Sequence, residues 1–124
     1  MSKTYYGYRD YRKALNGELI PHLPHVVVAL DKRRRRPLLL RLDVRNHSPC
    51  GFEWGYAGSG PSQLALAICL DALKNRARAE SVYMEFKFRV IARLPKDGWK
   101  LTVEEVLETV EQLEREREEE VKLE

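Results

Sequence analysis

The sequence predicts one α+β domain, in which a small antiparallel sheet from the N-terminal half packs on a buried central helix with one or two further helices. Three observations favour this class. The chain has 124 residues, the usual size of a single domain. Residues 1–56 hold short β-prone runs separated by turn residues, so this half is mainly β. Helical patterns follow at 61–75 and 102–118, with a charged tail at 119–124.

The first predicted element is a hairpin over residues 5–20. Asn16-Gly17 lies between two short runs, and this dipeptide is the strongest local signal for a hairpin turn. We expect Pro21 and Pro24 to end the hairpin. The tyrosine-rich N-terminal part of the chain would then form its first strand.

Two more antiparallel strands are predicted next, with a basic loop between them. The valines at 26–28 are β-branched and favour a strand. From Leu38 to Val44, alternate residues are apolar, as in a half-buried strand. The loop residues carry like charges that must face water or an anion; they are Lys32, Arg33, Arg34, Arg35 and Arg36.

Apolar spacing and capping residues predict the helices. The segment 61–75 is apolar nearly all round, which is typical of a buried helix. Residues 80–94 fit a strand by strict alternation and also mark a helical face, so the pattern alone leaves both open. The C-terminal helix opens with Thr102 and Glu105, which form a T-x-x-E capping box.

Composition excludes several classes of protein. No apolar run approaches the ~20 residues that a membrane helix needs, and no secretory signal is present, so we expect a cytoplasmic protein without a membrane partner. The two cysteines have no CxxC spacing, which fits a reducing compartment. We expect neither metal nor cofactor, because no known ligand spacing is matched by His22, His25, His47, Cys50 and Glu53.

Charge is unevenly distributed along the chain. Residues 102–124 hold ten Glu against three basic residues, a net charge of −7, although the whole chain has +3. The basic body predicts an anionic partner such as nucleic acid, with phosphate contacts from residues 32–36. Bases would stack on those tyrosines that are exposed among Tyr5, Tyr6, Tyr8 and Tyr11. The acidic helix end could also pair with the basic loop of another copy, which would make a homodimer.

The glycine-rich segment before the central helix is a candidate anion site. Glycines allow close backbone approach, and Pro61 suits the first helical position. The positive end of a helix suits a phosphate or carboxylate. The predicted contacts are Ser59, Gly60, Ser62, Trp54 and Tyr56. The alternative is a tight helix start that needs small residues only for packing, because the spacing matches neither a Walker A motif nor a dinucleotide fingerprint.

His47 and Glu53 are the candidate catalytic residues, since a histidine and a carboxylate can act as an acid/base pair. They would make the protein a small enzyme, for example a hydrolase. No G-x-S-x-G elbow accompanies them. A third interpretation is a protein-interaction domain without a small-molecule site. We therefore favour a binding or accessory protein, and we keep the enzyme and the interaction domain as alternatives.

Residues 47–67, HSPCGFEWGYAGSGPSQLALA, closely resemble the signature of an uncharacterised prokaryotic and viral family, whose members read like HSPTGFEWGYGGSGPAQLALA. The resemblance continues more loosely through 82–106 and touches the opening YYGYR. Cys50 stands where the family usually has Thr, which argues against a chemical role for that position. The family has no known function, so the resemblance implies no activity, cofactor or catalytic residue. It implies a helix over 80–94.

Overall fold

The computed structural model, which describes residues 3–123, has a four-stranded antiparallel sheet and three α-helices. The elements are β1 (Thr4–Lys13), β2 (Leu19–Ala29), β3 (Arg35–Pro37), α1 (Ser59–Leu73), α2 (Arg76–Arg89), β4 (Gly98–Thr102) and α3 (Val103–Leu123). A 3-10 turn, Ile91–Arg93, follows α2. The strand order is β3-β2-β1-β4. The predicted α+β class is confirmed.

The predicted hairpin is present and is longer than expected. Its turn contains Asn16 and Gly17, and Gly17 adopts the left-handed φ of +88° that glycine allows. The expectation that Pro21 and Pro24 end it was wrong, because β2 continues through both prolines to Ala29. The pairing of β1 with β2 shifts by one residue between the two prolines, because β2 has two residues, His22 and Leu23, opposite Asp10 of β1.

The predicted strand over 38–44 is absent. The edge strand β3 ends at Pro37, and the segment after it forms turns in which Arg41 has a left-handed φ of +59°. The alternating pattern gave a wrong prediction because Leu38 and Val44 are buried, but the segment that contains them is irregular and is not a strand. The sheet instead gains β4, which pairs with β1 and was not predicted.

The helices follow their predicted patterns with shifted ends. Helix α1 begins at Ser59, two residues before the predicted start, and is buried along most of its length. Residues 80–94 are helical up to Arg89, so the strand interpretation was wrong. Thr102 and Glu105 exchange side-chain and backbone hydrogen bonds of 3.0–3.1 Å, which completes the capping box of α3. Part of the predicted charged tail, residues 119–123, lies in α3, and Glu124 lies outside the described residues.

One face of the sheet, the inner face, carries the core. Side chains alternate along a strand, so Tyr5, Val28 and Trp99 share this face and are at most 8% exposed. The Tyr5 hydroxyl donates a 2.7 Å hydrogen bond to Asp71 of α1, which shows that α1 packs on the inner face. Helices α2 and α3 pack against α1. Among residues 3–123, no helix is long and apolar enough to cross a membrane.

Candidate functional site

The segment between β3 and α1 is organised by the buried side chain of Gln63. Its amide oxygen accepts hydrogen bonds from the backbone N–H groups of His47 (2.7 Å) and Ser48 (3.1 Å). Its amide nitrogen donates to the carbonyls of Leu40 (2.5 Å) and Arg45 (3.0 Å). Buried backbone groups outside strands and helices need partners. Gln63 supplies four of these hydrogen bonds from one position on α1.

Glu53 is held in a second polar cluster. Arg9 donates to both carboxylate oxygens of Glu53, at 2.7 and 3.2 Å, and its Nε donates to the carbonyl of Lys96. The Arg9 guanidinium lies 4.4 Å from the centroid of the Trp54 ring. The Trp54 indole N–H also donates to Lys96, at 3.1 Å. This cluster joins β1 to the glycine-rich segment and leaves Glu53 paired.

The predicted anion site at the start of α1 is largely covered. A Cβ atom on Gly60 would lie 2.6 Å from the Cβ of Glu53, so the Glu53 segment lies directly against this end of the helix. Ser62 is buried, and its hydroxyl donates to the Gly58 carbonyl. Pro61 is the third helical residue and not the first. Of the five predicted contacts, Gly60, Ser62 and Trp54 are buried, whereas Ser59 and Tyr56 are exposed.

His47 lies in a different cluster from Glu53. Its Nε2 atom is 2.8 Å from the hydroxyl of Tyr83 on α2. Burial lowers the pKa of His47, and the positive charges of Lys87 and Arg45 lower it further. Since Glu53 pairs with Arg9, the two candidate catalytic residues have separate partners and share no hydrogen bond among the described residues.

The basic loop divides into residues with structural partners and residues that face solvent. Arg36 pairs with Asp71 of α1 at 2.7 Å. Arg34 pairs with Asp31 within the turn, at 2.8 Å. Hydrogen bonds from backbone N–H groups of the turn and from the Arg34 side chain lower the pKa of Asp31 to about 2. These two arginines therefore stabilise the loop and its contact with α1.

Two of the other three basic residues of the loop, Lys32 and Arg35, lie beside the outer face of the sheet. Lys32, Arg33 and Arg35 are exposed, and the Arg35 guanidinium lies 5.5 Å from the centroid of the Tyr6 ring. Lys32, Arg35 and Tyr6 line a shallow depression of about 260 Å³ at this edge of the sheet. The loop thus directs cationic groups toward an aromatic side chain.

The outer face carries a tyrosine pair with cationic neighbours. Tyr6 lies between Lys100 of β4 and Val27 of β2, and Tyr8 lies between Gly98 and His25. The Tyr8 and His25 rings are stacked, with centroids 5.0 Å apart. Tyr8 is 46% exposed because the glycine opposite it has no side chain to cover the ring. Tyr5 points to the core instead, so only part of the predicted tyrosine set is available for stacking.

Acidic charge is concentrated on the helical side of the molecule. Residues 3–37 hold nine basic and three acidic residues, whereas α3 holds nine acidic and three basic residues. Glu114 pairs with Arg78 and Glu116 with Arg89, at 2.7 and 2.8 Å, and both arginines lie on α2. The acidic end of α3 therefore neutralises positive charges of α2, and the excess of positive charge on the sheet is left uncompensated by these pairs.

A surface groove of about 400 Å³ separates the hairpin from the glycine-rich segment. Leu23 and His25 line one side, and Ser48, Cys50 and Glu53 line the other. These side chains include a thiol, a hydroxyl and an imidazole, but no hydrogen bond connects them among the described residues. No group of three or more potential metal ligands occurs within residues 3–123.

Sequence reasoning missed His25 and Lys100 as members of the outer face. The alternation of Trp99, Lys100 and Leu101 is the signal for β4, but a turn before it and a capping box after it obscured that signal. Gln63 was also missed, because a polar residue in an apolar helix is visible in sequence only as an exception to the pattern.

Comparison with known protein families gives a match over most of the chain. A protein-family model described as "Family of unknown function (DUF6166)" matches residues 22–112, which is more than half of the chain and runs from the second strand of the hairpin into α3. A search of curated proteins finds no match, and a search of solved structures finds none either. The chain belongs to the DUF6166 family of unknown function.

Proposed function

We propose that the protein binds single-stranded nucleic acid on the outer face of its sheet. One observation carries the proposal: the outer face is open, and Tyr6 and Tyr8 lie there among Arg35, Lys100 and His25. Aromatic rings on an open sheet provide stacking surfaces for bases, and adjacent cations provide contacts for phosphates.

The shape of this face favours single strands over a duplex. Stacking on a tyrosine requires a base that is not already stacked within a helix. Duplex DNA is usually read by an element that projects into the major groove. Helix α1 packs on the inner face and is almost wholly buried, so it is not available to enter a major groove.

The charge distribution supports the same partner. The exposed cations Lys32, Arg35 and Lys100 lie around Tyr6, and two acidic residues of α3 pair with arginines on α2. About four phosphate contacts on a single strand give a slope of about −3 in log Kobs against log salt concentration, at ~0.7 per contact.

The glycine-rich helix start and the pair His47 and Glu53 take no part in the proposed binding. The start of α1 is covered by the Glu53 segment, and the two candidate catalytic residues lie in separate clusters. These features support packing more strongly than ligand binding. An enzyme that uses His47 and Glu53 together would need the two side chains side by side, and each has a different partner instead.

Fluorescence anisotropy with a labelled homopolymer of about 12 nucleotides, which fits the ~4–16 nucleotide range of single-strand sites, tests the proposal. Tyr8→Ala should weaken binding roughly 5- to 150-fold, because stacking is worth ~1–3 kcal/mol per base. Lys100→Gln should lower the magnitude of the salt slope by about 0.7.

Two matched variants serve as controls. Tyr56→Ala removes a tyrosine that is as exposed as Tyr8, at 49%, but lies in the glycine-rich segment. Lys122→Gln removes a cation on α3. Neither should change affinity. Absence of binding at low salt, or equal losses in Tyr8→Ala and Tyr56→Ala, would contradict the proposal, and tighter binding of the matching duplex would contradict the choice of single strands.

A further inference from the structure

The distal part of the hairpin, residues 10–23, projects beyond the rest of the sheet, and we call it the hairpin arm. Strand β4 pairs with β1 only as far as Tyr8, so the arm is a two-stranded ribbon. The first strand extends about 17 Å past Tyr8, at ~3.3 Å per residue. Within the arm, every residue except Ala14 is exposed.

The arm exposes large apolar side chains. Tyr11 and Leu23 are each 53% exposed and Leu19 is 68% exposed, and Leu15 and Ile20 are exposed as well. An isolated two-stranded hairpin is marginally stable in water, and exposed large apolar side chains on it gain from burial against a partner. The arm therefore has the properties of a surface that a partner covers.

The two long edges of the arm differ. On β2, Pro21 pairs with Tyr11 and Pro24 with Arg9. Proline has no N–H group, so these two prolines remove donors from the β2 edge and disfavour the addition of a strand there. The β1 edge contains no proline and, past Tyr8, has no neighbouring strand among the described residues. One edge is protected and the other is open.

The backbone groups of Tyr11 point toward the open edge. The backbone carbonyl of Lys3 accepts a hydrogen bond from the N–H of Val103, the residue that follows β4, so Lys3 faces the β4 side of β1. The backbone N–H of Ala14 donates to the carbonyl of Glu18, so Ala14 faces the β2 side. Backbone groups alternate in direction along a strand. Odd-numbered residues of β1 therefore face the β4 side, and in the arm that side is open at Tyr11 and Lys13.

We propose that the open β1 edge of the arm pairs antiparallel with the same edge of a second copy, about a two-fold axis at Tyr11. This register places Tyr11 opposite its own counterpart, as an aromatic cross-strand pair. Asp10 of each copy then lies opposite Arg12 of the other, because antiparallel partners are equidistant from the axis. The edge is thus complementary to itself in charge.

Two symmetry-related pairs in this register oppose like charges, since Arg9 of each copy lies opposite Lys13 of the other. The Arg9 guanidinium is already paired with Glu53 and its side chain is only 9% exposed, so it is neutralised within its own chain. Asp10 now contacts His25, and both side chains are exposed enough to rearrange. The two Asp10–Arg12 pairs therefore determine the register.

Sedimentation velocity over a wide concentration range tests the dimer. The wild-type chain should dimerise. Asp10→Arg and Arg12→Asp should each raise the dimer Kd roughly tenfold or more, because each places two like-charge pairs across the axis. An equimolar mixture of the two variants should form a heterodimer of wild-type affinity, since both of its pairs are then opposite in charge.

Glu18→Arg is the matched control, because it makes the same charge change at the turn of the arm, away from the axis. His25→Ala controls for the loss of the contact between Asp10 and His25. Both should dimerise as the wild type does. A monomer at every concentration, a dimer whose Kd is unchanged in Asp10→Arg, or a mixture that fails to recover affinity would overturn the proposal. This dimer does not depend on nucleic acid, so it stands or fails separately from the function proposed above.

Discussion

A single residue, Gln63, holds the segment before α1 against that helix. Its single amide satisfies backbone groups at four positions that have no strand or helix partner. Gly60 contributes by its small size, because the Glu53 segment lies where a side chain would project. Much of the segment that resembles a family signature thus has a packing role that the structure makes explicit.

Replacement of Gln63 by alanine should lower the free energy of unfolding by about 3–5 kcal/mol, since several buried backbone groups lose partners at ~1–3 kcal/mol each with partial relaxation. Urea denaturation followed by circular dichroism measures the change. Gln112→Ala, at an exposed position on α3, should have little effect. If both variants were equally stable, the organising role of Gln63 would be wrong.

The pKa of His47 provides a second test at the residue scale. Burial and the charges of Lys87 and Arg45 hold it below 6.5, so the folded state binds this proton less tightly than the unfolded chain. Stability should therefore decline as pH falls below about 6.5. In an NMR titration, Lys87→Met should raise the pKa of His47, whereas Lys74→Met, at an exposed position, should not. A His47 pKa above 6.5 in the wild type would contradict this description.

At the scale of elements, Asp71 joins three parts of the fold. It accepts hydrogen bonds from Lys3 and Tyr5, next to and within β1, and from Arg36 of β3. Burial alone would raise the pKa of Asp71, but the hydrogen bonds from Tyr5, Arg36 and Lys3 outweigh it and lower the pKa. One carboxylate on α1 therefore fixes the helix beneath the inner face of the sheet.

Asp71→Asn should cost about 2 kcal/mol of stability at neutral pH, because charged hydrogen bonds contribute ~1.5–3 kcal/mol. A depressed folded-state pKa contributes stability above the unfolded pKa of ~3.9, and this contribution is lost as pH falls through the folded value. The stabilities of the wild type and the variant should therefore begin to converge below about pH 4 and come closer as the pH falls further. Asp43→Asn, which removes an exposed carboxylate paired with Arg41, should change stability little at any pH. If the denaturation midpoints of the wild type and Asp71→Asn stayed equally far apart at low pH, the ionised Asp71 carboxylate would not be the source of the stability difference.

The sequence predicted the elements whose signals are local. The Asn-Gly turn, the capping box of α3 and the apolar character of α1 each depend on neighbouring residues, and all three are present. Elements that depend on distant partners were missed. Strand β4 exists because β1 offers an edge from the other end of the chain, and in the irregular segment 38–44 the Leu40 carbonyl accepts a hydrogen bond from Gln63 of α1.

The candidate site divides in the same way. The sequence identified Tyr6, Tyr8 and Arg35 as residues suited to nucleic acid, because tyrosine and arginine have that chemistry in any context. It could not show that Tyr5 faces the core or that Arg36 pairs with Asp71, since strand phase and contacts across the sheet determine both. The pair His47 and Glu53 was chosen by proximity in sequence, and in three dimensions each has its own partner.

For the molecule as a whole, the central feature is the separation of charge between its two sides. The sheet and its basic loop are cationic, and α3 is acidic and partly neutralised by α2. An anionic polymer should therefore approach from the sheet side, where Tyr6 and Tyr8 are located. The hairpin arm extends from that same sheet, so a dimer formed through it would have two such faces.

The most direct test maps where a single strand binds, by recording backbone amide chemical shifts during titration with a short single-stranded homopolymer. The proposed function predicts changes at Tyr6, Tyr8 and Lys100 and in the loop 32–36, with α3 unchanged. Changes that fall instead on α2 and α3, or an absence of change at low salt, would contradict the claim that the outer face of the sheet is the binding site.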